Sequence, residues 1–320
     1  MTSHPHKVYI LTPNPAVDIT YECPNPVFGE VNRVAQVTHR PGGKGLNVAA
    51  GVTALGHHAV ASGFLGGHGG IEIQGLLEDT EIVQDWVFIE GETRSTIAIH
   101  AEDGTTMFNE PGPHVTSQSW QELEGKLAQQ LHPGDVFVVS GSCPPQTKPE
   151  DLISVLKAAQ AAGARTLVDM SGPLLIDVAA YADVLKPNKE ELLAATGSEN
   201  IHEGVEKLVG AGPQAVIVSD GPNGMSMFIA GEEQYLTATP PEFVHGNPTG
   251  AGDAAAAALA VDLLLHPTHK VPSANALASA VALSASAVLC PTAGEVDLSA
   301  YNNFLPRVIK EYRNASRSTV

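Results

Sequence analysis

Basic residues are scarce in this chain: 17 lysines and arginines stand against 35 acids among 320 residues, a formal net of −18. A field of that sign repels polyanions, so nucleic acid and anionic membrane surfaces are disfavoured as partners. If phosphate is handled at all, the few cations and backbone N–H groups have to be gathered locally, which directs attention to Lys44, Arg33 and Arg94. Cysteine is scarcer still. Cys23, Cys143 and Cys290 are far apart, odd in number and without a C-x-x-C pair, so neither a disulfide framework nor a zinc site is indicated and a reducing compartment fits. No apolar run approaches the roughly 18 residues of a membrane span. Met1 to Lys7 lacks the charged-then-apolar pattern of a signal peptide, which sets the expectation of a cytoplasmic, soluble protein.

Several chemical signatures are missing too. The 13 histidines form no H-E-x-x-H and no i, i+4 pair on a convincing helix, so a metal role for them is disfavoured. Ser140-Gly141-Ser142 is not the G-x-S-x-G elbow of a hydrolase, although Ser142 can donate a hydrogen bond to a ligand at a strand end. The first strand runs into Thr12-Pro13-Asn14-Pro15, where a dinucleotide-binding chain carries its glycine fingerprint. There is no internal repeat and no low-complexity linker.

What is present is alternation. Val8 to Leu11, Ala59 to Phe64, Val136 to Val139, Thr166 to Val168, Val184-Leu185 and Ala215 to Val218 are short apolar runs suited to buried parallel strands. Helical stretches are predicted at 44–55, 117–131, 149–162, 189–196 and 202–210, and this β-α-β pattern implies a parallel sheet with helices on both faces. After Val218 the text predicts a hairpin over 224–238 and then helices at 252–265, 273–289 and 298–313. Two β-rich excursions, from Asp18 to Arg40 and from Thr93 to Phe108, suggest a small sheet standing apart from the main body.

The sharpest segment is Asn247-Pro248-Thr249-Gly250-Ala251-Gly252-Asp253, followed by the alanine-rich stretch from Ala254 to Ala260. Pro248 ends an extended stretch, the two glycines permit a turn with converging N–H groups, and the alanines start a helix whose positive dipole end faces that turn. Gly250, Ala251 and Gly252 thus make an anion hole. As a plain helix start, Asp253 is an ordinary first-turn acid; beside a phosphoryl group it is the base that an attacking hydroxyl requires.

A second glycine cluster, Pro41-Gly42-Gly43-Lys44-Gly45-Leu46-Asn47, opens a helix and carries one cation without the spacing of a Walker A loop. Its glycines allow close backbone approach, with Lys44 and Asn47 available to a ligand's phosphate and hydroxyls. Lys186-Pro187-Asn188-Lys189-Glu190-Glu191 lies at a strand end, where Asn188 and Glu191 have the spacing of a capping box. The same Glu191 carboxylate can orient waters around Mg2+. Val218 to Gly224 reads first as a turn between strands.

Taken in order, Asn14-Pro15-Ala16-Val17-Asp18, Val31-Asn32-Arg33, Gly42-Gly43-Lys44-Gly45-Leu46-Asn47, Glu92-Thr93-Arg94, Ser140-Gly141-Ser142, Lys186-Pro187-Asn188 with Glu191, and Gly250-Ala251-Gly252-Asp253 resemble the PfkB (ribokinase-like) carbohydrate kinases over nearly the whole chain. Within them the pattern is similar to the 1-phosphofructokinase and tagatose-6-phosphate kinase branch. Thr249, Ala254 and Asp220 depart from that branch and weaken any claim about the particular sugar.

The resemblance implies a single ribokinase-like domain over 1–320: a three-layer α/β/α body with a mainly parallel sheet, and a small β-sheet lid from two insertions at about 16–40 and 92–110. It implies ATP with Mg2+ held through water by Glu191, and leaves a monovalent cation as a further candidate. Asp18 would hold sugar hydroxyls, while Gly42, Gly43, Lys44, Asn47 and Ser142 would line the sugar-phosphate pocket. Arg94, with Arg33 reaching from the lid or across a homodimer, would bind the phosphate already on the substrate. Lys186, Asn188 and Glu191 would serve nucleotide phosphates and metal, and Ser219, Gly221 and Gly224 would border the adenosine. The expected reaction is phosphorylation of a ketohexose phosphate, first fructose 1-phosphate, with fructose 6-phosphate and tagatose 6-phosphate as alternatives. A non-catalytic sensor of sugar phosphate on the same scaffold is the rival.

Overall fold

A computed structural model of the chain describes residues 5–314; part of the Met1 to Lys7 segment lies outside them. Strand β1 (Val8–Thr12) is buried throughout, as its unbroken apolar run requires when helices cover both faces of a sheet. The chain leaves the main sheet for β2 (Ala16–Glu22) and β3 (Gln36–Gly42), then returns through α1 (Lys44–Ala54) to β4 (Ala59–Leu65), α2 (Gly67–Leu77) and β5 (Val83–Phe88). It leaves again for the hairpin β6 (Arg94–Ala101) and β7 (Gly104–Asn109). The main body then continues as α3 (Ser117–Gln130), β8 (Val136–Ser140), α4 (Pro149–Ala161), β9 (Arg165–Asp169), α5 (Leu174–Val178), β10 (Val184–Leu185), α6 (Lys189–Thr196), α7 (Ile201–Ala211) and β11 (Ala215–Ser219). It closes with β12 (Met225–Ile229), β13 (Gln234–Thr239), α8 (Ala251–Leu265), α9 (Ala274–Val288), α10 (Leu298–Phe304) and β14 (Ile309–Asn314).

Ten strands form the main sheet in the order β14-β13-β12-β11-β10-β9-β8-β1-β4-β5. The run from β5 to β11 is parallel, and β12, β13 and β14 add antiparallel. The two excursions meet as a separate sheet, order β3-β2-β6-β7. Side chains alternate across the main sheet: Val8 and Ile10 join one core with α1, α2, α8 and α9, whereas Tyr9 and Leu11 join the other with α3, α4, α6 and α7. This is the expected α/β/α layering with a small sheet apart. From β1 the chain builds outward in one direction through β4 and then back in the other through β8, so the crevice at the strands' C-terminal ends beside β1 is where ligands settle in such sheets.

Helix α8 is the most buried helix of the body. Asp253 to Val261 are all buried, and the small side chains let α1 approach so closely that a Cβ on Gly51 would lie 2.8 Å from Ala257.

Two local readings needed correction. The helix expected over 298–313 stops at Phe304, since Pro306 contributes no N–H and fixes its own φ, and Ile309–Asn314 instead pairs along β13 as an edge strand. Helix α2 was not foreseen because glycine-rich text argues against a helix. Its N-terminus is stabilised from a distance, Glu92 accepting hydrogen bonds from the Gly69 amide at 2.6 Å and the His68 amide at 3.2 Å.

Candidate active site

The turn before α8 is where local sequence and tertiary packing agree most closely. Gly250 takes φ 84°, a left-handed conformation open to glycine, and a Cβ there would lie 3.0 Å from Cα and Cβ of Ala293. The helix that follows drives Asp253 into the interior, where it is 5% exposed. Asn47 on α1 donates to its Oδ2 at 2.8 Å. Burial pushes the Asp253 carboxyl up to about 7, the Asp169 carboxylate adds to that, and Asn47, Lys44 and Lys186 pull the other way. A carboxyl with that balance can both hold and release a proton near neutrality.

Around Asp253 stand alternating charges. Lys44 begins α1 and donates to Glu191 Oε1 at 2.9 Å. Burial would lower its pKa, but the Asp169, Glu191 and Asp253 carboxylates outweigh burial and hold the ammonium above its ordinary value. Glu191 closes the expected capping box, its Oε2 accepting from the Asn188 amide at 2.9 Å while Asn188 Oδ1 accepts from the Glu191 amide at 2.7 Å. Lys186, just past β10, pairs with Asp169 at 2.9 Å, and the two side chains are 2% and 3% exposed. A buried pair of this kind is tolerable only because neither charge is left alone.

The small sheet supplies the facing wall. Asp18 on β2 lies in register with Thr96 on β6, two residues from Arg94. Burial pushes the Asp18 carboxyl up to about 6, against the pull of Arg94, the Thr96 hydroxyl and Arg40. Arg94 donates to the carbonyls of Asn14 at 3.2 Å and Glu110 at 3.1 Å, which fixes its guanidinium at the rim. Burial lowers its pKa.

These groups share one cavity of about 730 Å3, lined by Asp18, Gly43, Lys44, Asn47, Arg94, Lys186, Asn188, Glu191, Ser219, Gly221, Gly224 and Gly250 to Asp253. Met225, Phe243, Val244, Val281 and Ala285 give it an apolar end beside Ser219 and Gly221. The acid and the lysine-bearing glycine segment therefore face the same space. Three anticipated residues do not line it. Gly42 lies behind the Asp18 carboxyl, where any side chain would collide with it. Arg33 is exposed between β2 and β3, and Ser142 is half-buried two residues past β8. Asp169 is the residue sequence reasoning missed. Its signal was available: an acid closing a buried apolar strand at the C-terminal edge of a parallel sheet.

A mononucleotide triphosphate fits this donor set, with amides at the α8 turn, the Lys186 ammonium and an apolar end for a base. For Mg2+ the carboxylates are hard oxygen donors, but both Glu191 oxygens are already engaged, so contact through water is the mode that fits. Among the described residues no group of three or more His, Cys, Asp or Glu is arranged to hold a metal.

Known proteins resemble this chain in sequence and in fold. Residues 10–298 match the model of the pfkB family carbohydrate kinases. The tagatose-6-phosphate kinase of Staphylococcus epidermidis is 33% identical over 273 residues, covering 82% of this chain and 87% of that protein. Phosphofructokinase-2 from Escherichia coli, solved in complex with potassium, superposes with TM-score 0.86 at 27% identity, covering 94% of this chain and 98% of the other. The same enzyme in complex with fructose-6-phosphate gives 0.83. Arabidopsis thaliana ribokinase, complexed with ribose and ATP, is 21% identical with TM-score 0.71, covers 94% and 99% of the two chains, and speaks to the fold alone. Among the described residues no helix is long and apolar enough to cross a membrane.

Proposed function

Because the chain belongs to the pfkB family of carbohydrate kinases and has its ribokinase-like fold, we propose that this sugar-phosphate kinase moves the γ-phosphoryl group of ATP onto a hydroxymethyl oxygen of a ketohexose phosphate, with Asp253 as general base. The observation that carries the reading is the buried carboxylate, oriented by Asn47, at the mouth of a ring of helix-start amides and across one cavity from Lys44 and Arg94.

Asp253 takes the proton of the attacking hydroxyl. The N–H groups of Gly250 and Gly252, with the dipole of α8 behind them, receive the charge on the phosphoryl group in transit, and the Ala251 amide joins them by giving up its 3.2 Å turn bond to the Pro248 carbonyl. Asp18 holds sugar hydroxyls, and Arg94 holds the phosphate already on the sugar, joined by Arg33 once the small sheet closes. Gly43, Lys44 and Asn47 shape the sugar end, and Gly42 leaves room for the Asp18 carboxyl in front of it; Ser219, Gly221 and Gly224 border the adenosine, and Lys186 and Asn188 meet nucleotide phosphates. Glu191 would hold Mg2+ through water, and the ion would supply charge neutralisation at the phosphates. Catalysis in this scheme is positioning and electrostatics.

The four-stranded sheet acts as the lid of the cavity and as the contact between two copies. Phe28 at 84% exposure and Val31 at 89%, on its β2–β3 connection, support a covered face there. Fructose 1-phosphate is the first candidate substrate on the residue pattern. A ketohexose 6-phosphate is the second, favoured by the similarity to a tagatose-6-phosphate kinase. A panel of ketohexose 1- and 6-phosphates coupled to ADP formation decides between them. ADP release with none of the panel, while sugar phosphate still binds, would convert the reading to a sensor.

A further inference from the structure

Arg40 belongs to none of the roles above and does not line the cavity. It sits on β3 of the small sheet, in register with Asp18. Its side chain leaves that sheet for the main body, where Nη1 donates to Thr292 Oγ1 at 2.8 Å and to Glu295 Oε1 at 2.7 Å. Burial alone would raise the Glu295 carboxyl, but the Thr292 hydroxyl and Arg40 outweigh burial and hold it below the usual carboxylate range.

The turn grasped in this way, residues 292–295 between α9 and α10, touches the catalytic groups, and its Ala293 lines the cavity beside them. Ala293 packs on Gly250 so tightly that a Cβ on that glycine would meet it at 3.0 Å. Gly294 abuts the Asn47 amide, with a Cβ there reaching Asn47 Oδ1 at 2.9 Å, and Asn47 is the donor to Asp253. At its other end the loop is tied to the body, where Asn247 donates to the Pro291 carbonyl at 2.9 Å. One turn therefore presses on both the anion hole and the orienter of the base, with one anchor in the body and one in the small sheet.

We propose that Arg40 is a positioning residue: through Thr292 and Glu295 it seats the 292–295 turn against Gly250 and Asn47, so that the anion hole and Asp253 align only when the small sheet is docked. Placement of the sugar by Asp18 and alignment of the phosphoryl site are then coupled through neighbouring strands of one sheet. The half-exposed Arg40–Glu295 pair, with side chains 36% and 43% exposed, contributes little to folding stability, and its effect lies in geometry, to which phosphoryl transfer is sensitive.

This inference rests on the kinase reading, and the test separates the two. Steady-state kinetics are run on the full-length parent and on Arg40→Ala, Arg40→Lys, Glu295→Gln and the Arg40→Ala/Glu295→Gln pair, using the best ketohexose phosphate found for the parent. Arg40→Ala should lose about tenfold in kcat, with KM for sugar phosphate and for ATP within about twofold of the parent and Tm within about 2 °C. Glu295→Gln should lose a similar factor, the pair no more than either alone, as for two residues of one unit, and Arg40→Lys should recover most of kcat. An unchanged kcat in Arg40→Ala, or a rise confined to the sugar-phosphate KM, overturns the positioning role and leaves the kinase reading standing. A parent that phosphorylates no sugar phosphate overturns both.

Discussion

Replacing Asp253 by Asn should make the protein harder to unfold at pH 8 while removing its activity. The folded carboxyl is pushed up to about 7 from an ordinary 3.8, by burial first and the Asp169 carboxylate second. Between those two pH values the folded chain keeps a proton that the unfolded chain releases, so this group's contribution to stability falls as pH climbs through the window and levels off above 7. A gap of about three units, at about 1.4 kcal/mol each, sets a ceiling of about 4 kcal/mol on the cost of the ionised, buried acid at pH 8. At pH 5 the window is only partly crossed and the cost is about two fifths of that. The neutral amide avoids it at every pH. For a chain of this length about 1.5 °C accompanies each kcal/mol, so Asp253→Asn should melt up to roughly 6 °C above the parent at pH 8 and by less than half of that at pH 5. Scanning calorimetry at the two pH values measures this. The companion assay, ADP formation with a ketohexose phosphate, should show a loss of about two or more orders of magnitude in kcat. An Asp253→Asn protein that melts at or below the parent temperature at pH 8 would refute the reasoning, because the ionised carboxylate would then be well accommodated where it sits.

The parent's kcat/KM should rise by about tenfold between pH 6 and pH 8, following the ionised fraction of a group titrating near 7. In Asp169→Asn that acid limb should move to lower pH, since a like charge beside Asp253 is gone; a shift upward would remove Asp169 from the account. Arg94→Ala should raise the sugar-phosphate KM by more than about tenfold and leave the ATP KM nearly unchanged; preference of the parent for unphosphorylated sugars would sink that assignment.

Much of the main body was legible because its strands are buried on both faces and so read as short apolar runs between helical stretches, from Val8 to Val218. The small sheet was legible as two interruptions of that rhythm. Glycine-rich α2 was not, because its start depends on Glu92, a residue distant in sequence, and no local propensity encodes a remote carboxylate. The last strand, Ile309–Asn314, was taken for helix because its fully exposed residues carry no burial period, and only pairing with β13 selects the extended form. At the site, Asp253 and Lys44 stood out because each follows a glycine turn, at Gly250 and Gly43, and Glu191 through its capping-box spacing with Asn188. Asp169 and Arg40 sit at ordinary strand positions, and their significance arises only from what the fold brings against them.

The core helix that starts at the Gly250 turn carries alanine at six of the seven positions from 254 to 260, and its neighbour α1 meets it through a glycine at position 51. Side chains this small leave no rotamers to rearrange, so an extra methyl group deep in the bundle has nowhere to go except into the helix axis itself. The helix then behaves as a push-rod whose tip is the glycine turn. Substitutions at Ala257 or Gly51 should therefore be sensed first as altered turnover, before the protein shows any loss of compactness.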